Sequence, residues 1–508
     1  MAKTTTPSFI TEIPLKVNSK LASKLNARFQ SARQLYNACL NEVLIRMELV
    51  RSSEPYQQAK KLNREKQKKQ RKDLFKKARE QHRFSEYDLH SFATRTAKSS
   101  IWIAKNVDSN TQQKLATRAF KAVERVLFGQ AKQVRFKIAP RFKSVEGKSN
   151  RQGLRWLNDK VVWCGLTIEP IIDWNNPVMV HGLNSPVKYC RLLWRNLNGK
   201  KRWYLQLVNK GTPYKKPQNY VTRGIVGLDV NISNVAFVAD NQSGLLPFAD
   251  KVPTYQREIQ ALQRKMQRSL RANNPDNFEP DFNKKVGNKV VRKKGKIRKG
   301  KRQWIKSSNY RKAARKKAEL ERRKASYAKS QNRKLVNEIL RHGNQIKTEK
   351  VSIKGWQKRY GKAISSKSPG FFQSELKRKA ENANGSFLEF STQKTALSQT
   401  HLDGSRVKKT LSIRVHRDIT GFEMHRDLFS AFLSRYVCDD KLSLLDAQTE
   451  YPRAEPLLMD AWKQYQQTAN RVSKSESRKC YNSFERLSIQ VLASDQIVIK
   501  DDKSESNA

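Results

Sequence analysis

The chain has 508 residues, enough for several packed units, and it carries 104 Lys and Arg against 45 Asp and Glu, a formal net charge of +59 at pH 7. Because so many positive charges repel one another unless a polyanion neutralises them, we expect nucleic acid as the partner. No apolar stretch approaches the roughly 20 residues of a spanning helix, and residues 1–7 lack a signal-peptide core, so we expect a cytoplasmic protein with no membrane partner. The five cysteines form no Cys-x-x-Cys pair, which is typical of reduced thiols.

The first 220 residues predict a small β-module interrupted by helices. Residues 9–17 alternate like a strand, and apolar residues then recur every three or four positions from Lys20 to Val50, as in an amphipathic helix. Helical periodicity continues to Phe128. Short strands joined by Gly, Asn and Pro follow, at residues 134–137, 161–164, 178–180, 187–193 and 202–208. We therefore predict a β-barrel-like module from residues 1–19 and 134–220, with a helical lobe at 20–133 inserted between its strands.

Residues 224–240 predict a β-hairpin with two buried arms joined by turn residues at Asn231 to Asn234. Asp229 lies where the first arm leaves the core. A buried, unpaired carboxylate costs several kcal/mol, so Asp229 needs a cation, hydrogen-bond donors or solvent. Taken alone, an aspartate at this position is typical of an ordinary turn.

Residues 255–340 are overwhelmingly basic. Helical patterns at 262–270 and 310–339 flank residues 273–302, whose Gly, Asn, Pro and dense Lys/Arg content predicts a flexible loop. Such basic helices suit one wall of a groove for a duplex backbone, with salt-sensitive and sequence-blind affinity. A solvated helix face is the alternative for any single basic stretch.

The last part of the chain adds two more acidic residues in core-forming segments. A strand at 345–353 contains Glu349, a loop extends to Pro369, and a helix and a strand follow at 371–383 and 386–392. Asp427 lies in the first turns of a helix that begins at Met424. A hairpin, a strand and then a helix are how a ribonuclease-H-like fold brings carboxylates to one end of its sheet. Carboxylate oxygens suit Mg²⁺, and paired divalent ions can hydrolyse a phosphodiester.

Several stretches resemble the TnpB family, transposon-encoded RNA-guided nucleases related to the type V CRISPR effectors. They are residues 224–229 (GIVGLD), 348–356 (TEKVSIKGW), 398–400 (SQT) and 426–431 (RDLFSA), with looser matches at 9–15 and 29–37. The set in this order is specific, whereas each motif alone is weak.

The resemblance implies a RuvC-like nuclease domain in an α/β and α+β multidomain protein. That domain comprises residues 221–395 and 422–470, with a basic helical insertion at about 255–345 and a tail at 471–508. It implies that Asp229, Glu349 and Asp427 are catalytic and bind Mg²⁺ or Mn²⁺. It also implies a guide RNA from the element, a double-stranded DNA target and a prokaryotic, nucleoid-associated location, but it indicates no oligomeric state.

One departure from the family concerns its zinc ribbon, which matches residues 396–421. Four cysteines are usual there, whereas this chain places His401, Asp403, Asp418 and Thr420 at the matching positions. Thiolates are absent and Thr is a weak ligand, so we expect no zinc.

Two other functions stay open, a nuclease-inactive RNA-guided repressor or transposition modulator, and a CRISPR type V effector of the same fold. A protein kinase is set aside. His425-Arg-Asp427 mimics the kinase catalytic loop, but Phe432 stands where that loop requires Asn, and no Gly-rich phosphate loop is present.

Overall fold

The computed structural model describes residues 7–249, 251–287, 289–300, 303–410 and 413–476. The chain divides into two compact units, Met1–Lys215 and Lys216–Ala508. Most of the predicted tail at 471–508 lies outside the described residues. Within the described part, no helix has both the length and the apolar character needed to cross a membrane.

The N-terminal unit combines helices with two antiparallel sheets. Its helices are α1 (Ser19–Ser52), α2 (Glu54–Lys61), α3 (Lys68–Gln81), α4 (Glu86–Lys98), α5 (Ile101–Asn106), α6 (Ser109–Leu127) and α7 (Pro177–Leu183). Its strands are β1 (Ser8–Pro14), β2 (Ser144–Glu146), β3 (Arg155–Leu157), β4 (Lys160–Trp163), β5 (Leu166–Ile168), β6 (Val187–Leu197) and β7 (Lys200–Lys210). One sheet has the order β1-β7-β6-β2 and the other β3-β4-β5. The predicted pairing of the first strand with the later ones is confirmed, and β6 and β7 form a hairpin around Asn198-Gly199.

The barrel prediction is wrong for the described residues, in which the two sheets stay open. Two of the predicted strands do not form. Residues 134–137 have no regular structure, and residues 178–180 lie in helix α7. The side chain of Asn176 caps α7 by accepting from the backbone N–H groups of Val178 and Met179, and Pro177 occupies the first helical turn. This local capping overrides a three-residue apolar run that suits a strand equally well.

The core of the N-terminal unit joins α1 to both sheets. The ring of Phe29 in α1 meets Phe142, Trp163 and Trp203 edge-on, at centroid separations of 6.1, 6.3 and 5.0 Å. Such edge-to-face aromatic contacts add to the burial of apolar area. The helices are thus packed onto the sheets as one folded unit.

The C-terminal unit is built on a mixed sheet with helices on both faces. Its strands are β8 (Ile225–Val230), β9 (Asn234–Val238), β10 (Ser243–Pro247), β11 (Phe282–Val286), β12 (Lys289–Lys293), β13 (Gln345–Glu349), β14 (Ser386–Phe390), β15 (Val415–Arg417), β16 (Glu423–His425), β17 (Val437–Cys438) and β18 (Lys441–Leu442). Its helices are α8 (Val252–Ala272), α9 (Ser308–Leu340), α10 (Ile353–Lys367), α11 (Pro369–Glu381), α12 (Thr392–Thr395), α13 (Arg426–Ser434) and α14 (Leu444–Glu476).

The main sheet has the order β10-β9-β8-β13-β14. The predicted β8–β9 hairpin is confirmed, and β10 continues it antiparallel, whereas β13 runs parallel to both β8 and β14. Side chains alternate along β8, so Val226, Leu228 and Val230 enter the core formed with α9 and α11. Gly227 and Asp229 therefore face the opposite side, where α13 packs.

Two stretches predicted as loops in this unit contain regular structure among their described residues. The loop predicted at residues 354–369 largely forms α10, whose N-terminus is capped by Ser352. The flexible loop predicted at residues 273–302 contains the antiparallel β11–β12 hairpin. Asn274 fastens this segment by exchanging two hydrogen bonds with the backbone of Ile305, at 2.7 and 2.8 Å. The prediction failed because such long-range polar contacts leave no local pattern in the sequence.

Candidate active site

Asp229 is the second-last residue of β8 and is half-buried on the α13 side of the sheet. Its neighbour Val230 returns to the opposite core, so strand alternation fixes the direction of the Asp229 side chain. In the β8–β9 hairpin, Asp229 pairs in register with Ala236. The carboxylate therefore lies at the end of a central strand rather than in a surface turn.

Glu349 ends the parallel neighbour of that strand. Thr348 pairs with Leu228, so Glu349 continues the register beside Asp229. Lys347, two residues earlier on the same face, donates a 2.8 Å hydrogen bond to the carbonyl of Arg435 just after α13. Because carboxyl ends of parallel strands meet at one sheet edge, the topology brings Glu349 and Asp229 to the same place.

Asp427 reaches this edge from the other layer. It lies in the first turn of α13 and is 2% exposed, and its backbone N–H donates to Nδ1 of the capping residue His425 at 3.3 Å. A carboxylate in the first turn is favoured by the positive end of the helix dipole. All of α13 is buried, so Asp427 is held by a fixed helix.

Asp229 interacts electrostatically with both of the other acids. Burial, followed by the charges of Asp427 and Glu349, raises the pKa of Asp229 well above its ordinary value. Burial also raises the pKa of Glu349 to about 7, opposed by a hydrogen bond from the backbone of Leu397. The structure thus gathers the three sequence-predicted site residues at one end of the sheet and leaves their negative charge incompletely compensated.

Two arginines that the sequence analysis did not single out as site residues stand beside the acids. Arg414 places Nη1 3.6 Å from Oδ1 of Asp427, and the Nε of Arg426 lies 3.7 Å from the same oxygen. Both arginines lower the pKa of Asp229, after the stronger opposing effects of burial and the acids. The Arg414 side chain is 42% exposed, whereas that of Arg426 is 8% exposed. Arg426 adjoins Asp427 in the quoted motif, but no sequence signal marks Arg414.

The donor set fits a divalent cation. It consists of carboxylates alone, the hard oxygen ligands that Mg²⁺ and Mn²⁺ prefer. Burial raises the pKa of Asp229 most, and repulsion from Asp427 and Glu349 adds to the rise, so a cation would relieve part of it. A different group in the described ranges, His401, His416 and Asp418, has possible ligand atoms that all lie within 4.8 Å of one another.

That second cluster differs from the four positions expected to match the zinc ribbon. His401 and Asp418 belong to it, but Asp403 is exposed and accepts hydrogen bonds from Ser405. Thr420 donates to Asp418, as a neutral partner rather than a ligand. His416 is the member that matching of sequence positions missed.

Comparison with known proteins found no matching family model and no matching curated protein. Two similar solved structures are a Cas12f1-sgRNA-target DNA complex and a CRISPR-Cas12f ternary complex. The first has a TM-score of 0.47 and 10% identity over 84% of this chain and 98% of that chain. The second has a TM-score of 0.28 and 10% identity over 82% of each chain. At this level of similarity neither structure assigns an activity or a residue role here.

Proposed function

We propose that this protein is an RNA-guided DNA endonuclease of an insertion sequence, which hydrolyses DNA phosphodiesters at Asp229, Glu349 and Asp427 with Mg²⁺ or Mn²⁺. The observation that carries the proposal is the convergence of these acids from β8, β13 and α13, with the pKa of two of them raised. The antiparallel β8–β9–β10 meander, followed by parallel β13 and β14, matches the arrangement expected of a ribonuclease-H-like, RuvC-type domain.

The three carboxylates would hold the metal, which when bound supplies charge to polarise the phosphate and lower the pKa of water. The protein itself fixes these ligands on a strand end, a neighbouring strand end and a buried helix, so little reorganisation is needed. Arg414 is exposed enough to exchange its contact with Asp427 for a charge-assisted hydrogen bond to a phosphate oxygen. His425, buried next to Trp462 and Tyr465, closes one wall of the site.

Nucleic-acid binding is supported by charge and its placement. The long helices α8 and α9 and the β11–β12 hairpin are rich in Lys and Arg. In a guided enzyme, base pairing with the RNA reads the target sequence, and the protein holds the backbones. The +59 charge is consistent with neutralising both polyanions.

The test begins with sequencing of the RNA that co-purifies with the protein expressed from its own locus. One abundant, structured RNA with a defined end is expected, and it supplies the guide for a Mg²⁺-dependent cleavage assay. Asp229→Ala should abolish cutting and leave RNA binding near wild type, whereas Glu381→Ala, an exposed acid on α11, should cut normally. Equal cutting by Asp229→Ala would refute the assignment of the site.

A smear of cellular RNA would remove guidance from the proposal but leave the nuclease. Target binding without any metal-dependent cutting by the wild type would instead favour a guided DNA-binding protein. These outcomes separate the three parts of the proposal, namely the guide, the binding and the chemistry.

A further inference from the structure

A buried polar network lies against α13, where the ring of His416 stacks on that of Phe429 at a centroid separation of 4.3 Å. We call it the knuckle cluster, and it consists of His401, Lys409, His416 and Asp418. His416 is fully buried, and His401 and Asp418 are 3% and 7% exposed. Groups buried to this degree must satisfy their hydrogen bonds among themselves or bind a ligand.

The hydrogen bonds of His416 define its protonation. The Nζ of Lys409 lies 2.6 Å from Nδ1, and an ammonium group can only donate, so Nδ1 offers a lone pair. The ring proton is then on Nε2, which donates to Oδ2 of Asp418 at 2.8 Å. Burial lowers the pKa of His416 to about 4, which agrees with a neutral ring. Both ring nitrogens are therefore engaged by protein groups.

Asp418 is equally well satisfied. Besides His416, its Oδ2 accepts from the backbone N–H of Leu402 at 2.9 Å, and its Oδ1 accepts from the N–H and hydroxyl of Thr420 at 3.1 and 2.9 Å. Burial would raise the pKa of Asp418, but these hydrogen bonds together hold it below its ordinary value. This carboxylate has four donors without any metal.

Zinc fits this set poorly, even though three ligand atoms lie close enough to surround an ion. Metal binding would require His416 to lose the proton that it gives to Asp418 or to give up Lys409. The Lys409 charge would repel a dication. None of the described cysteines joins the cluster, so the thiolates that dominate structural zinc sites are missing.

We propose that the knuckle cluster folds without zinc. The hydrogen bonds from Lys409 to His416 and from His416 to Asp418 hold the cluster together in the place where the TnpB family, which the sequence resembles, uses a metal. This inference goes beyond the nuclease proposal and does not depend on it. His401 is only partly satisfied. Its Nδ1 accepts from the backbone N–H of Ile419 at 3.2 Å, whereas its buried Nε2 has no partner among the described residues.

The network has a consequence for the acidic site. The stretch that it fastens also contains Thr410 and Arg414, whose backbone carbonyls accept from Nη1 and the backbone N–H of Arg426 at 3.2 and 2.8 Å. The same stretch aims the Arg414 side chain at Asp427. The knuckle cluster therefore helps to position the guanidinium group of Arg414 beside the acids.

The primary test is the zinc content of the full-length protein, after nucleic acid is removed in high salt, by inductively coupled plasma mass spectrometry. Zinc well below one equivalent is expected, with a melting temperature that a zinc-selective chelator leaves unchanged. One tightly held zinc per chain, whose removal lowers the melting temperature, would overturn the proposal.

A matched pair of variants tests the hydrogen-bond chain. Lys409→Met removes the donor to a buried nitrogen and should lower the melting temperature by about 2–4 °C, whereas the exposed neighbour Lys408→Met should not change it. If the cluster binds zinc, removal of the Lys409 charge should raise zinc occupancy and stability instead. That result, or equal melting temperatures for the two variants, would contradict the metal-free network.

Discussion

Gly227 of β8 lies directly against the carbonyl oxygen of Ala431 in α13, so close that a Cβ on Gly227 would stand 2.1 Å from that oxygen. No neighbouring side-chain movement relieves such a contact, because the obstacle is backbone. The absence of a side chain at Gly227 is thus what allows α13 to lie on the strand that carries Asp229, two residues further on.

We therefore predict that Gly227→Ala moves α13 away from the sheet and separates Asp427 from Asp229. Cleavage should fall by more than tenfold, because misplacement of about 1 Å can cost roughly 10²-fold, and the melting temperature should fall as well. The control is Gly361→Ala in α10, where a Cβ would meet nothing within 4 Å. Similar cleavage rates for both variants would show that this contact does not position the site.

The second prediction concerns pH and metal. In the metal-free protein, burial raises the pKa of Glu349 from 4.5 to about 7, so the folded state binds a proton that the unfolded chain releases near pH 4.5. Stability should therefore decline as pH rises through the interval between these two pKa values, with a slope of up to about 1.4 kcal/mol per pH unit. The measurement is urea unfolding in EDTA across this range.

Glu349→Gln provides the comparison, since it removes the titrating group and also relieves Asp229, whose pKa is raised by Glu349. Both effects have the same sign, so the variant should show a flatter stability profile. Added Mg²⁺ should stabilise the wild type more at about pH 8 than at about pH 6, because metal and proton compete for the same oxygens. A wild-type profile parallel to that of the variant would contradict the raised pKa of Glu349.

The elements that carry the three acids were predictable because each has a local signal. The β8–β9 hairpin follows from two β-branched arms around a polar turn, and Asp427 follows from helical periodicity after Met424. Their convergence was suggested by the order of hairpin, strand and helix and became specific only with the family resemblance, because no sequence period links residues about 200 positions apart.

The features that the sequence did not predict depend on tertiary contacts. His416 and Lys409 join the knuckle cluster across a stretch without regular periodicity, and Arg414 acquires its partner only when that stretch folds onto α13. The prediction of a flexible loop at 273–302 failed for the same reason. Its high charge indicates disorder locally, but the side chain of Asn274 closes it through two hydrogen bonds with the backbone of Ile305.

The third prediction is that Arg414→Ala slows cleavage roughly 10²-fold, the usual cost of removing one donor from a developing phosphate charge, and leaves RNA and target affinity within about twofold. Arg414→Lys should recover part of the rate, since it keeps the charge but loses the planar fork. Single-turnover cleavage at saturating protein isolates this step from binding.

Arg417→Ala is the control for Arg414. Arg417 is exposed on the neighbouring β15 and pairs with Glu423, so its loss should cost little. If the two alanine variants cut at the same rate, Arg414 has no part in the chemistry. If Arg414→Ala instead loses nucleic-acid affinity at an unchanged cutting rate, it is a binding residue only.

The fourth prediction concerns the β11–β12 hairpin. Lys289 and Lys293 lie on a strand whose residues are all exposed, and no described carboxylate pairs with either of them. We expect the double variant Lys289→Glu/Lys293→Glu to weaken guide-RNA binding and to lower the slope of log affinity against log salt by about 1 to 2, roughly one for each lost phosphate contact.

The salt slope distinguishes this result from unfolding, because a destabilised protein loses active fraction without a change of slope. Lys441→Glu, an exposed lysine on the short strand β18, should keep the wild-type slope. An unchanged slope in the double variant would mean that the hairpin is solvated in the complex. In that case the helices α8 and α9, rather than the hairpin between them, would supply the phosphate contacts of this part of the chain.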